Sequence, residues 1–417
     1  MKVVIIFILI TVSTFAQNSI INTAHLDFLY ENISVDNKDM GIIHIYSNYP
    51  YDKWTGDDDE GIACVDDAAR AAIFYMKYYE YTTDSSALHK AKNLLSFVMH
   101  MQAENGFYYN FIWDDHSINK TFKTSVAEPN WWSWRAIWSL AEGYEFFKKR
   151  DSFFSQKLKS QLERSIPAAL KWLPKEKKYS IYGGFELPVW LPYETAADQA
   201  AILVLGMVKY SSASGDSTYN SGISLLCDGL LMMQAGKDTS FPYNAFLSWQ
   251  NTWHAWGNSQ APALISAGRL LNNKDFIDAG LKEVNNFYPF VIENNYLSNF
   301  IVERSADSVI IKNSSQFPQI AYGIRPMVIA SLMAYDETRD EQYARTAGLL
   351  SQWFLGKNPA GKEMYSASTG RCFDGINDKD DINKNSGAES TIEALLALLQ
   401  AEQNEISRSY FITGNED

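Results

Sequence analysis

The chain has 417 residues and a formal net charge of −13, from 36 basic and 49 acidic side chains. That balance excludes the basic face needed for nucleic acid or an anionic membrane surface, and a hydrophobic content of 46% excludes disordered and low-complexity classes. Three cysteines, Cys64, Cys227 and Cys372, are too few for a disulfide scaffold, leave at least one thiol unpaired and form no Cys-x-x-Cys pair for a zinc ribbon.

Met1-Lys2, an apolar run from Val3 to Phe15 and the small residue Ala16 read as a secretory signal peptide over 1–16. The run is short for a membrane span. The expected location is the periplasm or outside the cell, with no stable membrane insertion after cleavage. One helical domain is predicted over 17–404, without a Pro/Gly/Ser linker, followed by a polar tail over 405–417.

Two kinds of helix alternate along the domain. An outer helix is expected near 19–33, then an inner one from about Asp66, where Ala68 to Tyr79 is apolar nearly all round. Leu88, Ala91, Leu95 and Val98 stripe an amphipathic outer helix over 85–103. The next inner helix starts near Trp131. Phe154, Leu158, Leu162, Ile166 and Leu170 stripe the outer helix 154–173, which Pro167 should kink or split. Further inner helices start near Thr195, Trp253, Tyr322 and Ser386, with outer helices at 217–235, 274–292 and 339–354. Half-buried and fully buried helices alternating at a period of about 60 residues imply an all-α fold, an (α/α)6 toroid of six helical hairpins. One segment repeats: Met101-Gln102-Ala103 leads to Tyr109-Asn110 and Trp113, as Met233-Gln234-Ala235 leads to Tyr243-Asn244 and Trp249.

Inner helices of such a toroid run in one direction, so their N-termini gather on one face and the loops before them line a cleft. Asp66 and Asp67 sit at the first inner start, where the helix dipole favours acids and suits a general base; Arg70 offers both an ordinary local ion pair. Asp57 to Glu60 read as a solvated loop. At the last start, Ser386-x-x-Glu389 has the pattern of a capping box, yet Gly387 and Ala388 leave room beside Glu389 as a cleft acid. Asp374 precedes it in a long loop. Thr195-x-x-Asp198 is another capping pattern, and Tyr193, Glu194 and Asp198 are cleft candidates there, as is Glu128 ahead of Trp131. Aromatics reach 14%, with 12 Trp and 24 Tyr. Trp131, Trp132, Trp253 and Trp256 cluster at two inner starts, which suits stacking on sugar rings. His254 reads as a polar contact beside them, and Arg325 as a holder of hydroxyls or a carboxylate, or as a structural ion pair. The oxygen-rich run from Asp374 to Asn383 has the composition of a calcium loop but lacks the glycine and glutamate spacing of an EF-hand. No cofactor and no other metal site is expected.

Trp353-Phe354-Leu355-Gly356-Lys357-Asn358-Pro359 resembles a segment of family 9 glycoside hydrolases, within the six-hairpin glycosidase superfamily. There a long loop and an acid-bearing final inner helix follow, and Glu389 corresponds by position to the general acid. The family's Asp-Ala-Gly-Asp base motif is replaced here by Asp66-Asp67, and its Asn-Glu pair by Ala388-Glu389. The stretch from Gly370 to Thr391 is also similar to helical domains appended to some bacterial glycosyltransferases. The resemblance implies an exported glycoside hydrolase acting on a poly- or oligosaccharide, with Glu389 as acid and Asp66 or Asp67 as base. An inverting pair would stand roughly 6.5–9.5 Å apart. A polysaccharide lyase or sugar epimerase on the same toroid is one alternative. A lyase would need Arg325, Arg371 and His254 to converge on one carboxylate. A non-catalytic glycan-binding protein is the other.

Overall fold

The structure, a computed structural model, describes residues 19–50, 53–306 and 308–412. The signal peptide expected over 1–16 lies outside them. The helices are α1 (Ala24–Leu29), α2 (Val65–Thr82), α3 (Ser85–His100), α4 (Trp131–Phe147), α5 (Ser152–Trp172), α6 (Ala197–Ser214), α7 (Asn220–Met232), α8 (Gln260–Leu271), α9 (Lys274–Lys282), α10 (Tyr288–Glu293), α11 (Ala321–Thr338), α12 (Glu341–Ser351), α13 (Ala388–Gln403) and α14 (Glu405–Ile412). A π-helical turn, Glu283–Phe287, joins α9 to α10.

Helices α2, α4, α6, α8, α11 and α13 pack in that order, and α13 returns to α2, so they close an inner ring. Their composition explains it. From Ala388 to Glu402 almost every residue of α13 is buried, whereas α5 buries one stripe, Phe154, Leu158, Leu162, Ile166 and Ala169. A helix apolar all round needs neighbours all round. Three outer helices carry aspartate N-caps: Asp84, Asp151 and Asp340 accept from backbone N–H groups of α3, α5 and α12. The inner helices α6, α8, α11 and α13 have no side-chain cap. The fold is the expected (α/α)6 toroid.

Several local expectations are corrected. The first outer helix shrinks to α1, because Tyr30–Val35 pairs as a strand with Lys38–Ile43. The helix expected at Trp253 starts at Gln260. Thr252–His254 is instead a strand paired with Asn299–Ile301, whose hairpin partner is Ser308–Ser315. Helix α5 runs unbroken through Pro167; this proline is exposed, so the carbonyl it frees meets water. Most of the stretch expected as a tail forms α14, which packs on α12 and half-buries its apolar side with Phe411. The repeated segment has one structural task. Gln102 and Gln234 each end an outer helix and donate to a backbone carbonyl of the next outer layer, Gln161 and Ala279. All three cysteines are buried and free.

Candidate active site

The first and last inner helices meet through Arg70. Its Nη1 donates to Glu389 Oε2 at 3.0 Å and to Glu393 Oε1 at 2.9 Å, and its Nη2 to Asp67 Oδ1 at 2.7 Å. Arg325 on α11 holds the second oxygen of Glu393 at 2.5 Å. Arg135 on α4 holds Asp66 Oδ2 at 2.7 Å and donates to the Tyr322 hydroxyl at 2.8 Å. All three guanidiniums lie against the Tyr322 ring, at 5.1 to 5.5 Å from its centre. Burial would raise the Glu393 carboxyl, but Arg325 and Arg70 outweigh it and hold Glu393 below the usual range. Asp67 goes the other way: burial, only partly offset by Arg70, pushes it up to about 6.

The two aspartates at the first start separate in role. Both Asp67 oxygens are taken, one by Arg70 and the other by the Cys64 thiol, and the residue is buried. Asp66 keeps Oδ1 without a partner. Glu389 resembles Asp66: Arg70 holds one oxygen, the other makes no hydrogen bond among the described residues, and the side chain is 45% exposed. The capping-box role for Glu389 is not adopted. Asp374 takes it from outside the helix, accepting from Gly387 N at 2.8 Å and Ser390 Oγ at 2.6 Å. Burial raises Asp374. Glu389, Asp374 and Tyr322 line a pocket of about 180 Å³ with Tyr46 and Gly387.

A second pocket, of about 450 Å³, is lined by Trp131, Tyr193, Asp198, Trp249, His254 and Trp256. Asp198 Oδ2 meets His254 Nε2 at 3.0 Å, and His254 stacks on Trp256 with ring centres 4.0 Å apart. The capping pattern Thr195-x-x-Asp198 is not used: Thr195 Oγ1 accepts from Gln250 N instead. Burial, with the Glu128 charge nearby, pushes the Tyr193 hydroxyl up to about 12. The two pockets adjoin. A Cβ on Gly257 would meet the Trp131 ring at 3.0 Å and the Tyr322 hydroxyl at 3.1 Å. Arg135 spans the same junction, with Trp131 5.1 Å from its guanidinium. Trp131, on the rim of one pocket, and Tyr322, on the rim of the other, are therefore neighbours across Gly257.

Other candidates fall outside the two pockets. Trp253 is buried, stacked on Phe300 with ring centres 5.0 Å apart, because strand alternation turns it to the core. Trp132 is buried and donates to the Tyr108 carbonyl at 2.7 Å. Neither faces a sugar. Glu194 accepts from Tyr182 and Glu128 from Asn130, a residue that lines the cleft. Arg325 is turned away from the cleft and does not converge with His254. The run after Asp374 forms a hairpin, Gly375–Asp378 with Asp381–Asn383, in which Asp381 accepts from Asn377 and Asp380 pairs with Lys379. No group of three or more His, Cys, Asp or Glu side chains among the described residues is placed to hold a metal ion. Arg135 and Glu393 were missed. Each is a charged residue set among apolar neighbours in its inner helix, and its partners lie on other inner helices.

Neither a family model nor a curated protein matches the sequence. Solved structures do resemble it. A sugar epimerase from a ruminal bacterium superposes with a TM-score of 0.62 at 12% identity, covering 93% of this chain and 97% of its own. Cellobiose 2-epimerase from Bacillus thermoamylovorans gives 0.62 at 10%, over 91% and 95%. A cellulase of C. cellulolyticum gives 0.51 at 12%, over 84% and 88%. The chain is therefore a six-hairpin (α/α)6 toroid over nearly its whole described length.

Proposed function

We propose that the protein is a carbohydrate-active enzyme, exported from the cell, that hydrolyses a glycosidic bond in a neutral poly- or oligosaccharide. One observation carries this reading. Asp66 and Glu389, at the starts of the first and last inner helices, each have one oxygen fixed by a buried arginine and one left unbonded, with the Glu389 side chain half-exposed and the free Asp66 oxygen buried beneath the cleft floor. Glu389 protonates the leaving oxygen and Asp66 draws the proton from water. Arg70 is shared by three carboxylates, so it positions Glu389 without committing its full charge to it. Trp131 and Trp256 supply flat faces for sugar rings. No lysine or arginine lines either pocket, which suits a neutral sugar and disfavours a lyase acting on uronates.

Proton transfer at carbon, as in a sugar epimerase, is the second reading. The Asp198–His254 pair in an aromatic pocket favours it, as does the fold shared with epimerases. Against it, His254 Nε2 is engaged by Asp198, which leaves only the buried Nδ1 without a partner. The test is reducing-sugar release from plant, algal and bacterial glycans by the wild type, Glu389→Gln and His254→Asn. Release that is lost with Glu389→Gln and kept with His254→Asn supports hydrolysis. No release, with glycan binding that survives Glu389→Gln, indicates a binding protein.

A further inference from the structure

The toroid has a second mouth. At the C-terminal ends of the inner helices a cavity of about 670 Å³ opens opposite the cleft and reaches inward to Arg325 and Trp138. From Met333 near its rim to Arg325 is eight residues of α11, about 12 Å of helix. The layer formed by Tyr322, Arg70 and Glu393 separates it from the cleft: Tyr322 and Glu389 line the front, Arg325 and Leu396 the rear.

The cations of its walls divide into two groups. Lys209 pairs with Glu142 and Glu145, and Arg269 with Glu337. Basic residues near helix C-termini answer the dipole there and need no ligand. Lys77 makes no hydrogen bond or ion pair among the described residues. Arg325 differs in kind. It lies in the second turn of α11, far from that helix's C-terminus, is only 3% exposed, and has Nη2 buried with no partner although Nε is held by Glu393. A buried guanidinium nitrogen without an acceptor is costly. Leu205, Val208, Ile329 and Leu396 give the cavity an apolar side, opposite Glu142, three serines and Gln400.

We propose that this cavity is a second ligand site that takes a small organic carboxylate with an apolar body. The carboxylate accepts from the free Nη2 of Arg325, with Lys77 as the cation that has no partner among the described residues, and the hydrocarbon lies against the apolar side of the cavity. A guanidinium fits a carboxylate by geometry as well as charge, and the apolar side of the cavity disfavours polar anions, whose hydroxyls would lose their water there.

The test is isothermal titration of the full chain with octanoate, with glucuronate and inorganic phosphate in parallel. Octanoate is expected to bind saturably at one site, with the two polar anions at least about tenfold weaker. Ser266→Trp, which fills the cavity from α8, and Arg325→Gln should each weaken octanoate by about tenfold or more. Ser266 stands clear of the arginine network, so that variant decides the matter if Arg325→Gln does not fold. Absence of saturable octanoate binding, binding unmoved by Ser266→Trp, or glucuronate or phosphate binding as tightly as octanoate would each overturn the proposal.

Discussion

Arg70 meets three carboxylates, and only one of them faces the cleft. Glu389 is the half-exposed member; Asp67 and Glu393 are buried behind it. Substitutions there should separate chemistry from scaffold. Glu389→Gln keeps a hydrogen-bonding side chain and is expected to lower kcat by at least about 100-fold while leaving KM within a few-fold, the range for a lost general acid. Steady-state kinetics with the purified variant checks this. Trp131 is the aromatic nearest the junction of the two pockets, with Arg135 behind its ring. Trp131→Ala should raise KM about tenfold, with less change in kcat, because a stacked ring contributes ~1.5 kcal/mol of binding. Equal losses in kcat for both variants would mean that Trp131 positions the reacting carboxylates rather than the sugar.

At the scale of elements, the π-helical turn carries a buried acid. Glu283 accepts from Phe246 N at 2.8 Å and meets the Tyr288 hydroxyl at 3.2 Å, and burial pushes its carboxyl from 4.5 up to about 8. A raised acid binds its proton more tightly in the folded chain than in the unfolded one. Its contribution is therefore full below about pH 4.5 and is lost as pH rises through about 8. The loss amounts to about 5 kcal/mol. Glu283→Gln should lose less in melting temperature than the wild type between pH 5 and 8.5, the remaining loss coming from groups such as Asp67, and should melt above the wild type at pH 8.5. Thermal unfolding monitored by circular dichroism at pH 5 and 8.5 gives the comparison. Such a segment shows how far the sequence could be read. The apolar inner helices were legible because burial on all faces leaves no polar stripe. The strand Thr252–His254 was not, because three residues carry too little alternation to outweigh the aromatic pattern of a helix start. Glu389 and Asp66 stand where the sequence placed them, in the first turns of the last and first inner helices. Arg135 and Glu393 were hidden because their partners lie 69 and 68 residues away, or further, on other inner helices.

Across the whole molecule, the same ion pairs that orient the cleft also close the ring. Glu393 on α13 holds Arg70 on α2 and Arg325 on α11, and is fully buried. Glu393→Leu would strand two guanidiniums in the interior, and is expected to destabilise the fold by about 3–5 kcal/mol. Urea unfolding should show an earlier midpoint with an unchanged slope. An unaltered midpoint would mean that α13 is held by its apolar faces alone. The central claim concerns what this closed ring does to a sugar, and one measurement reaches it directly. A panel of neutral oligosaccharides is incubated with the enzyme in D2O and followed by proton NMR. Hydrolysis by the Asp66 and Glu389 pair predicts new reducing-end anomeric signals, with every carbon-bound proton retained. Exchange of the proton on the carbon beside the anomeric centre, with no new reducing ends, would contradict it and transfer the chemistry to His254 and Asp198.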